Sequence, residues 1–335
     1  MKTAIILANV GTPDKPELKA VRHYLHQFLN DPRVIDLPWL WRKILVNLII
    51  VPFRAPKSTR LYQMLWGANG SPLLHYSLQI RDKIQKMVTE NCEVYTTMRY
   101  GNPSLQTVID SLKYKNYDRI IVFPMFPQYA SSTTGTINEL VIHRIKKWNI
   151  IPNLVFINQF YEQPDFIKAF IARANTYQPD KFEHVLFSFH GLPLRHIQQC
   201  HPEIKLDNCK CTSVMPAHGG WCYKAQCYQT ARLIASELKL EPDQFSVGFQ
   251  SRLSKNWLQP FSDKLITEKA KQGLKSLLVI APSFVADCLE TEVEIGMEYK
   301  QLFLEHGGQH FEMVESLNDS NEWALAIKNI LLKYL

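Results

Sequence analysis

Long unbroken apolar runs are missing from this sequence. Its best stretch, LPWLWRKILVNLIIVPF, is interrupted by Arg42, Lys43 and Asn47, well short of the ~20 apolar residues that a membrane-spanning helix needs. Glycine-rich phosphate loops are missing too. There is no GxxxxGKS/T, and the turn after the first apolar run reads GTPD rather than GxGxxG, so no nucleotide cofactor is expected. The start, MKTAIILANVGTPD, carries one Lys and only a short apolar run before Gly11, Pro13 and Asp14, which is not the design of a secretory signal. The chain is therefore expected in the cytoplasm. Low-complexity tracts and fixed-period repeats are absent, and 46% hydrophobic with 21% charged residues excludes disordered and fibrous classes. Cysteine is scarce outside one segment, since five of the seven lie between Cys200 and Cys227. Cytosolic thiols stay reduced, so such crowding points to a metal rather than to disulfides.

What the sequence does have is alternation. Short β-rich runs (AIILAN, EVYTTM, RIIVFPMF, LVFIN, HVLFSFH, FSVGFQS, SLLVIAP, HFEMVES) are separated by amphipathic stretches such as PELKAVRHYLHQFL, LHYSLQIRDKIQKMV, TINELVIHRIKKW and DFIKAFIARANTY. Strands alternating with helices predict βαβ units on parallel sheets, hence a doubly wound α/β fold. At 335 residues two domains are expected. The strands fall into an early group ending near residue 125 and a later one starting near 153. The boundary is placed close to Ile150 and Pro152, giving domains 1–150 and 151–318, with the last helix, 319–335, joined to the first. The net charge of +7 suits an anionic small molecule, an acidic lipid surface or nucleic acid and does not choose among them. No nucleic-acid partner is expected, and the sequence sets no oligomeric state.

Open α/β sheets bind ligands outside the carboxyl ends of their strands, so polar residues that follow strands carry the functional weight. In FSFHGLP, His190 ends an apolar run before Gly191 and Pro193. A neutral imidazole there can accept a proton or ligate a borderline metal, and a plain structural histidine is the competing reading. In FVADCLETEVEIGMEYK, Asp287, Glu290, Glu294 and Glu298 would share one face of a helix. Such a row costs repulsion unless a cation or a relayed proton offsets it, while a solvated acidic face is the alternative. FPQYASSTTG follows a third strand with Gln128, Tyr129 and Ser132.

LANVGTPD, VRHYLHQFLNDPRVIDLP, NGSPLLHYS, MRYGNPS, FPQYASSTTG, FSFHGLP, FQSR and FVADCLETEVEI occur here in the order found in bacterial ferrochelatases, and the chain resembles that family over most of its length. The resemblance implies two Rossmann-like domains in a chelatase fold with a porphyrin cleft between them. It implies Fe2+ as substrate, with His190 and Glu290 facing the centre of the macrocycle and Asp287 and Glu294 as an acidic path for metal or protons. Val10, Arg99, Tyr100, Gln128, Tyr129 and Ser132 become neighbours of the porphyrin ring or its propionates. Leu37 to Phe53 looks like the family's active-site lip, which grips the ring and could rest on the inner membrane surface. A buried helix is the competing reading of that stretch.

Two departures from the family pattern refine this. Coproporphyrin-using members carry Tyr where this chain has Val10, and tend to have Asp-His where it has Asp287-Cys288, which favours protoporphyrin IX as substrate. The segment near 197–227 is longer than usual and brings Cys200, Cys209, Cys211 and Cys222, with Cys227 as a substitute ligand. Four thiolates suit a 2Fe-2S cluster or structural Zn2+. Some relatives hold such a cluster, so the cluster is the preferred expectation, and His201 and His218 keep zinc open. Competing functions are a coproporphyrin chelatase, a heme or porphyrin carrier without insertion activity, and a corrin-type chelatase.

Overall fold

The computed structural model describes residues 1–201 and 203–335, with Asp207 described by its backbone only. All eight predicted strands are present and form two four-stranded sheets. The first holds β1 (Thr3–Gly11), β2 (Cys92–Tyr100), β3 (Arg119–Pro124) and β4 (Asn153–Phe156) in the order β2-β1-β3-β4, every pairing parallel. The second holds β5 (His184–His190), β6 (Phe245–Gln250), β7 (Ser276–Ile280) and β8 (His310–Met313) in the order β6-β5-β7-β8, again all parallel.

The near-continuous apolar runs follow from burial on both faces. Ala4 to Ala8 of β1 and Leu277 to Ile280 of β7 are all buried. In the first sheet, Leu105, Ile109 and Leu112 of one helix and Ile137, Val141 and Ile145 of another lie three to four residues apart and pack on Ala4, Ile6, Ile120 and Val122. In the second, Ile266, Ala270, Ile295 and Phe303 cover Leu186, Leu277 and Val279.

The chain divides into two compact units: 1–126, 130–159 and 327–335 form one, and 127–129 with 160–326 the other. The strand at 153–156 thus differs from its expected place at the head of the second domain. It pairs with β3 in register Arg119↔Asn153, and its Leu154 and Phe156 pack against the first core. Pro152 marks a loop within the first unit, not a change of core. The helix Asn321–Leu332 contributes to both units: Trp323 packs on Phe160 and Phe166 of the second, while Arg119 donates to the carbonyl of Leu335 in the first.

Among the described residues, no helix is long and apolar enough to cross a membrane. The Leu37 to Phe53 stretch is not a buried helix either. It forms the helix Trp39–Ile44, the π-helical turn Leu45–Ile50 and the start of the helix Val51–Leu65. Only Arg42, Val46 and Val51 turn inward, whereas Trp39, Leu40, Trp41, Leu48, Ile49 and Phe53 are exposed, Phe53 by 81%.

Candidate active site

In each sheet the strand order reverses beside the first strand, which puts the switch point at the ends of β1 and β5. β5 ends on half-buried His190. Its Nδ1 lies 2.6 Å from the carbonyl oxygen of Gly191. A carbonyl can only accept, so Nδ1 carries a hydrogen, and in the neutral ring Nε2 is the nitrogen with the lone pair. The backbone N–H of His190 donates to Ser283 Oγ at 3.3 Å, and its carbonyl accepts from the Tyr223 hydroxyl at 2.8 Å. Trp257 and Phe284 flank the imidazole. Gly191 is required by close approach: a Cβ there would sit 2.8 Å from the Gln250 carbonyl oxygen.

Gln250 is the β6 register partner of His190 and joins it to the acidic segment. Its Nε2 donates to the Glu290 carbonyl at 3.2 Å and to Glu294 Oε2 at 3.3 Å, while its Oε1 accepts from Ser188. Glu290 opens a π-helical segment, Glu290–Tyr299. Burial first, then the charge of Glu290, push the thiol of neighbouring Cys288 well above its ordinary range, so it stays protonated beside that carboxylate.

Of the four carboxylates, Glu290, Glu294 and Glu298 lie four apart on the π-helical segment, whereas Asp287 lies in the loop ahead of it. Asp287 is buried, accepting from Thr291 Oγ1 and the Ser316 N–H at 3.1 Å each and from Asn318 Nδ2 at 2.6 Å. Glu294 accepts from the Ser251 N–H and hydroxyl, Gln250 and the Tyr299 hydroxyl. Glu298 is exposed. Among the described residues, these carboxylates bring together no group of three metal-ligating atoms.

The other expected porphyrin neighbours divide between the two units. In the first, Val10 is half-buried at the end of β1, its N–H donating to Asn9 Oδ1. Gly11 follows at φ +115°, where a Cβ would collide with the Tyr100 carbonyl. Arg99 and Tyr100 end β2, and both are claimed by buried Asp31: Arg99 Nη2 donates to Oδ2 at 2.7 Å and the Tyr100 hydroxyl at 2.9 Å, alongside Thr136. Tyr100 is only 2% exposed. Half-buried Ser132 lies in the π-helical turn Ser131–Gly135, whose Ser131 accepts from Arg33. In the second unit, buried Gln128 donates to Thr230, and Tyr129 is held by Gln226 through its N–H and by Trp221 edge-on at 5.1 Å.

In the cysteine-rich segment the thiols of Cys209 and Cys211 are hydrogen-bonded neighbours, and Cys222 lies near enough to Cys200, Cys209 and Cys211 to interact with them electrostatically. Cys200 is exposed, with its thiol 3.5 Å from the His196 carbonyl. Cys209 Sγ also faces His218 Nε2 at 3.2 Å, and Cys222 Sγ faces His201 Nε2 at 3.5 Å. Burial pushes the Cys211 thiol up to about 12, and Cys227 is fully buried beside Tyr223. Sequence reasoning did not single out Asp31, Tyr223, Gln250, Ser251 or Tyr299; Tyr299 bonds Glu294 five residues away, and the partners of the others lie far along the chain. Asp31 inside NDPRV, Gln250 and Ser251 inside FQSR, and Tyr299 inside FVADCLETEVEIGMEYK stood in segments that sequence reasoning did mark, whereas Tyr223 had no such signal.

Two parallel sheets of matching order, with polar side chains gathered at the carboxyl ends, make this a doubly wound α/β protein, and its fold is similar to that of solved chelatases. The structure of SirB from Bacillus subtilis with Fe3+ superposes with a TM-score of 0.56 at 11% identity, covering 99% of this chain and 95% of that one. The cobalt complex of the sirohydrochlorin chelatase SirB from Bacillus subtilis subspecies spizizenii gives 0.54 at 10% identity, over 98% and 93%. The sequence narrows the class. The ferrochelatase family model matches residues 2–335. The ferrochelatase of Legionella pneumophila (strain Lens) is 41% identical over 332 residues, 99% of each chain, and that of Coxiella burnetii (strain Dugway 5J108-111) is 40% identical over 341 residues, 100% of this chain and 94% of the other. The chain belongs to the ferrochelatase family, the lyases that insert a metal ion into porphyrin.

Proposed function

We propose that this chain inserts Fe2+ into protoporphyrin IX, with His190 and Glu290 as the residues facing the reacting ring. The observation that carries the reading is the Nδ1–H bond from His190 to Gly191, which leaves Nε2 as a free base or ligand at the end of β5. Insertion removes two pyrrole protons while the metal sheds water, so a base and a metal ligand are both needed. Nε2 takes a proton from the ring and the carboxylate of Glu290 serves the metal or the second proton. Glu294, already engaged by several donors, holds Ser251 and Gln250 in place rather than carrying cargo.

Protoporphyrin is favoured over coproporphyrin by Val10 and Cys288. Val10 brings no hydroxyl to the end of β1, and buried Cys288 stands where the coproporphyrin-using relatives tend to have histidine. The exposed apolar residues Trp39, Trp41, Leu48, Ile49 and Phe53, beside exposed Arg54 and Lys57, suit peripheral contact with an anionic membrane surface from the cytoplasm.

The test is anaerobic: purified protein, Fe2+ and either protoporphyrin IX or coproporphyrin III, followed by the absorbance of the metallated ring. Faster turnover of protoporphyrin, lost in His190→Ala with porphyrin binding kept, is the expected result. A preference for coproporphyrin overturns the substrate assignment, and near-normal turnover of His190→Ala overturns the assigned base.

A further inference from the structure

On the reading of His190 as the reacting base, we infer that Tyr223 and Ser283 are its positioning residues, their hydroxyls standing in for sheet bonds that the His190 backbone cannot make. In a parallel ladder the N–H and C=O of one residue point to the same side, and successive residues alternate sides. β5 lies between β6 and β7. Its pairing with β6 runs to His190↔Gln250, but its pairing with β7 ends at Phe187↔Ile280, three residues short of His190. The Gly191 N–H points toward β6, where it donates to the Gln250 carbonyl at 2.8 Å. The N–H and C=O of His190 therefore point the other way, past the end of β7, and continuing that register puts Ser283 opposite His190.

Both backbone groups are satisfied there by side chains. The N–H donates to Ser283 Oγ at 3.3 Å, and the carbonyl accepts from the Tyr223 hydroxyl at 2.8 Å. Ser283 and Tyr223 are themselves joined by a side-chain hydrogen bond. The three bonds close a ring, from the His190 N–H to Ser283, from the Ser283 hydroxyl to Tyr223, and from the Tyr223 hydroxyl back to the His190 carbonyl. Burial first, then the side chain of Cys227, push the Tyr223 hydroxyl well above its ordinary range, so it keeps the hydrogen that it donates. Tyr223 is 6% exposed and opens the helix Tyr223–Glu237, whose Ala225, Cys227, Ala231 and Ile234 are buried, which gives the hydroxyl a fixed base.

The peptide between His190 and Gly191 is thus gripped at both edges, its carbonyl by Tyr223 and its N–H by the Gln250 carbonyl. The bond from His190 Nδ1 reaches only to the next carbonyl, that of Gly191. It holds the imidazole in one tautomer and one direction only while that peptide keeps its plane. Without the Tyr223 hydroxyl one edge is free to turn, and Nε2 turns with it.

Nitrogen-15 NMR of histidine-labelled protein without porphyrin reads the tautomer, the His190 signal being the one lost in His190→Ala. Wild type should show the Nδ1–H form alone when the ring is neutral. Tyr223→Phe keeps the ring and loses the hydroxyl, so the Nε2–H form should appear and kcat should fall by about 10- to 100-fold, as slight misplacement of a reacting group does, with the porphyrin KM unchanged. Ser283→Ala should shift both readings in the same direction and Ser283→Thr should restore them. Tyr228→Phe, which removes another hydroxyl from the same helix, should change neither. Tyr223→Phe with the wild-type tautomer and kcat, or with a raised KM at unchanged kcat, would overturn the inference. Hydrogen exchange on the wild-type protein decides where a variant fails to fold: the His190 amide should be protected like the amides inside β5, and exchange at the rate of an exposed loop would overturn the clamp. Full turnover by His190→Ala would overturn the base assignment alone, because the tautomer and exchange measurements need no turnover.

Discussion

His190 owes its usefulness to one backbone carbonyl. Because Gly191 holds Nδ1–H, the imidazole presents a single tautomer without needing a charged partner. Glu290→Gln keeps the shape of its side chain but removes its charge, so turnover should fall by about a hundredfold or more while porphyrin binding persists; unchanged turnover in the insertion assay would move metal handling elsewhere. A second histidine governs acid stability. Burial, then the charge of Lys269, lower the pKa of His184 from 6.5 to about 4. The unfolded chain binds a proton below about pH 6.5 that the folded chain refuses until about pH 4, so stability present above pH 6.5 is lost as pH falls through that window. The loss should reach roughly 3 kcal/mol by pH 4. Urea denaturation at a series of pH values should show that slope in the wild type and a flatter one in His184→Phe.

At the scale of elements, buried Asp31 ties three of them together. It follows the helix Leu18–Leu29 and accepts from Arg99 and Tyr100 of β2 and from Thr136 of the helix Thr136–Ile145. Removing one member of a buried ion pair strands the other, so Asp31→Ala should cost about 3 kcal/mol in chemical denaturation. A loss within the range of an exposed salt bridge, about 1 kcal/mol or less, would show that Arg99 finds water instead. Most elements were legible in the sequence. The runs AIILAN and SLLVIAP are strands because apolar residues buried on both faces need no alternation, and TINELVIHRIKKW is a helix because Ile137, Val141 and Ile145 repeat at helical spacing. The π-helical segment Glu290–Tyr299 was not legible. Its composition suits an α-helix equally well, and its winding is held by distant partners such as Ser251 and Gln250 meeting Glu294.

For the whole molecule, a net charge of +7 and a cluster of exposed Trp, Leu, Ile and Phe side chains reinforce each other at an anionic surface. The protein should co-sediment with vesicles rich in anionic phospholipid, less so at high salt, and Trp39→Ser with Trp41→Ser and Phe53→Ser should abolish this without loss of folding. Equal sedimentation of wild type and triple variant would place any membrane contact on another face.

The sequence by itself determined the family, the parallel α/β class and the placing of His190 at a strand end, because apolar periodicity and strand-end polarity are local properties of the chain. Tertiary structure decided what the polar residues do. It placed the 153–156 strand in the first sheet through its packing on β3. It buried Asp287 among Thr291, Ser316 and Asn318, and it set His201 and His218 opposite Cys222 and Cys209. Each outcome depends on a partner remote in sequence, and only the folded chain brings such partners within hydrogen-bonding reach.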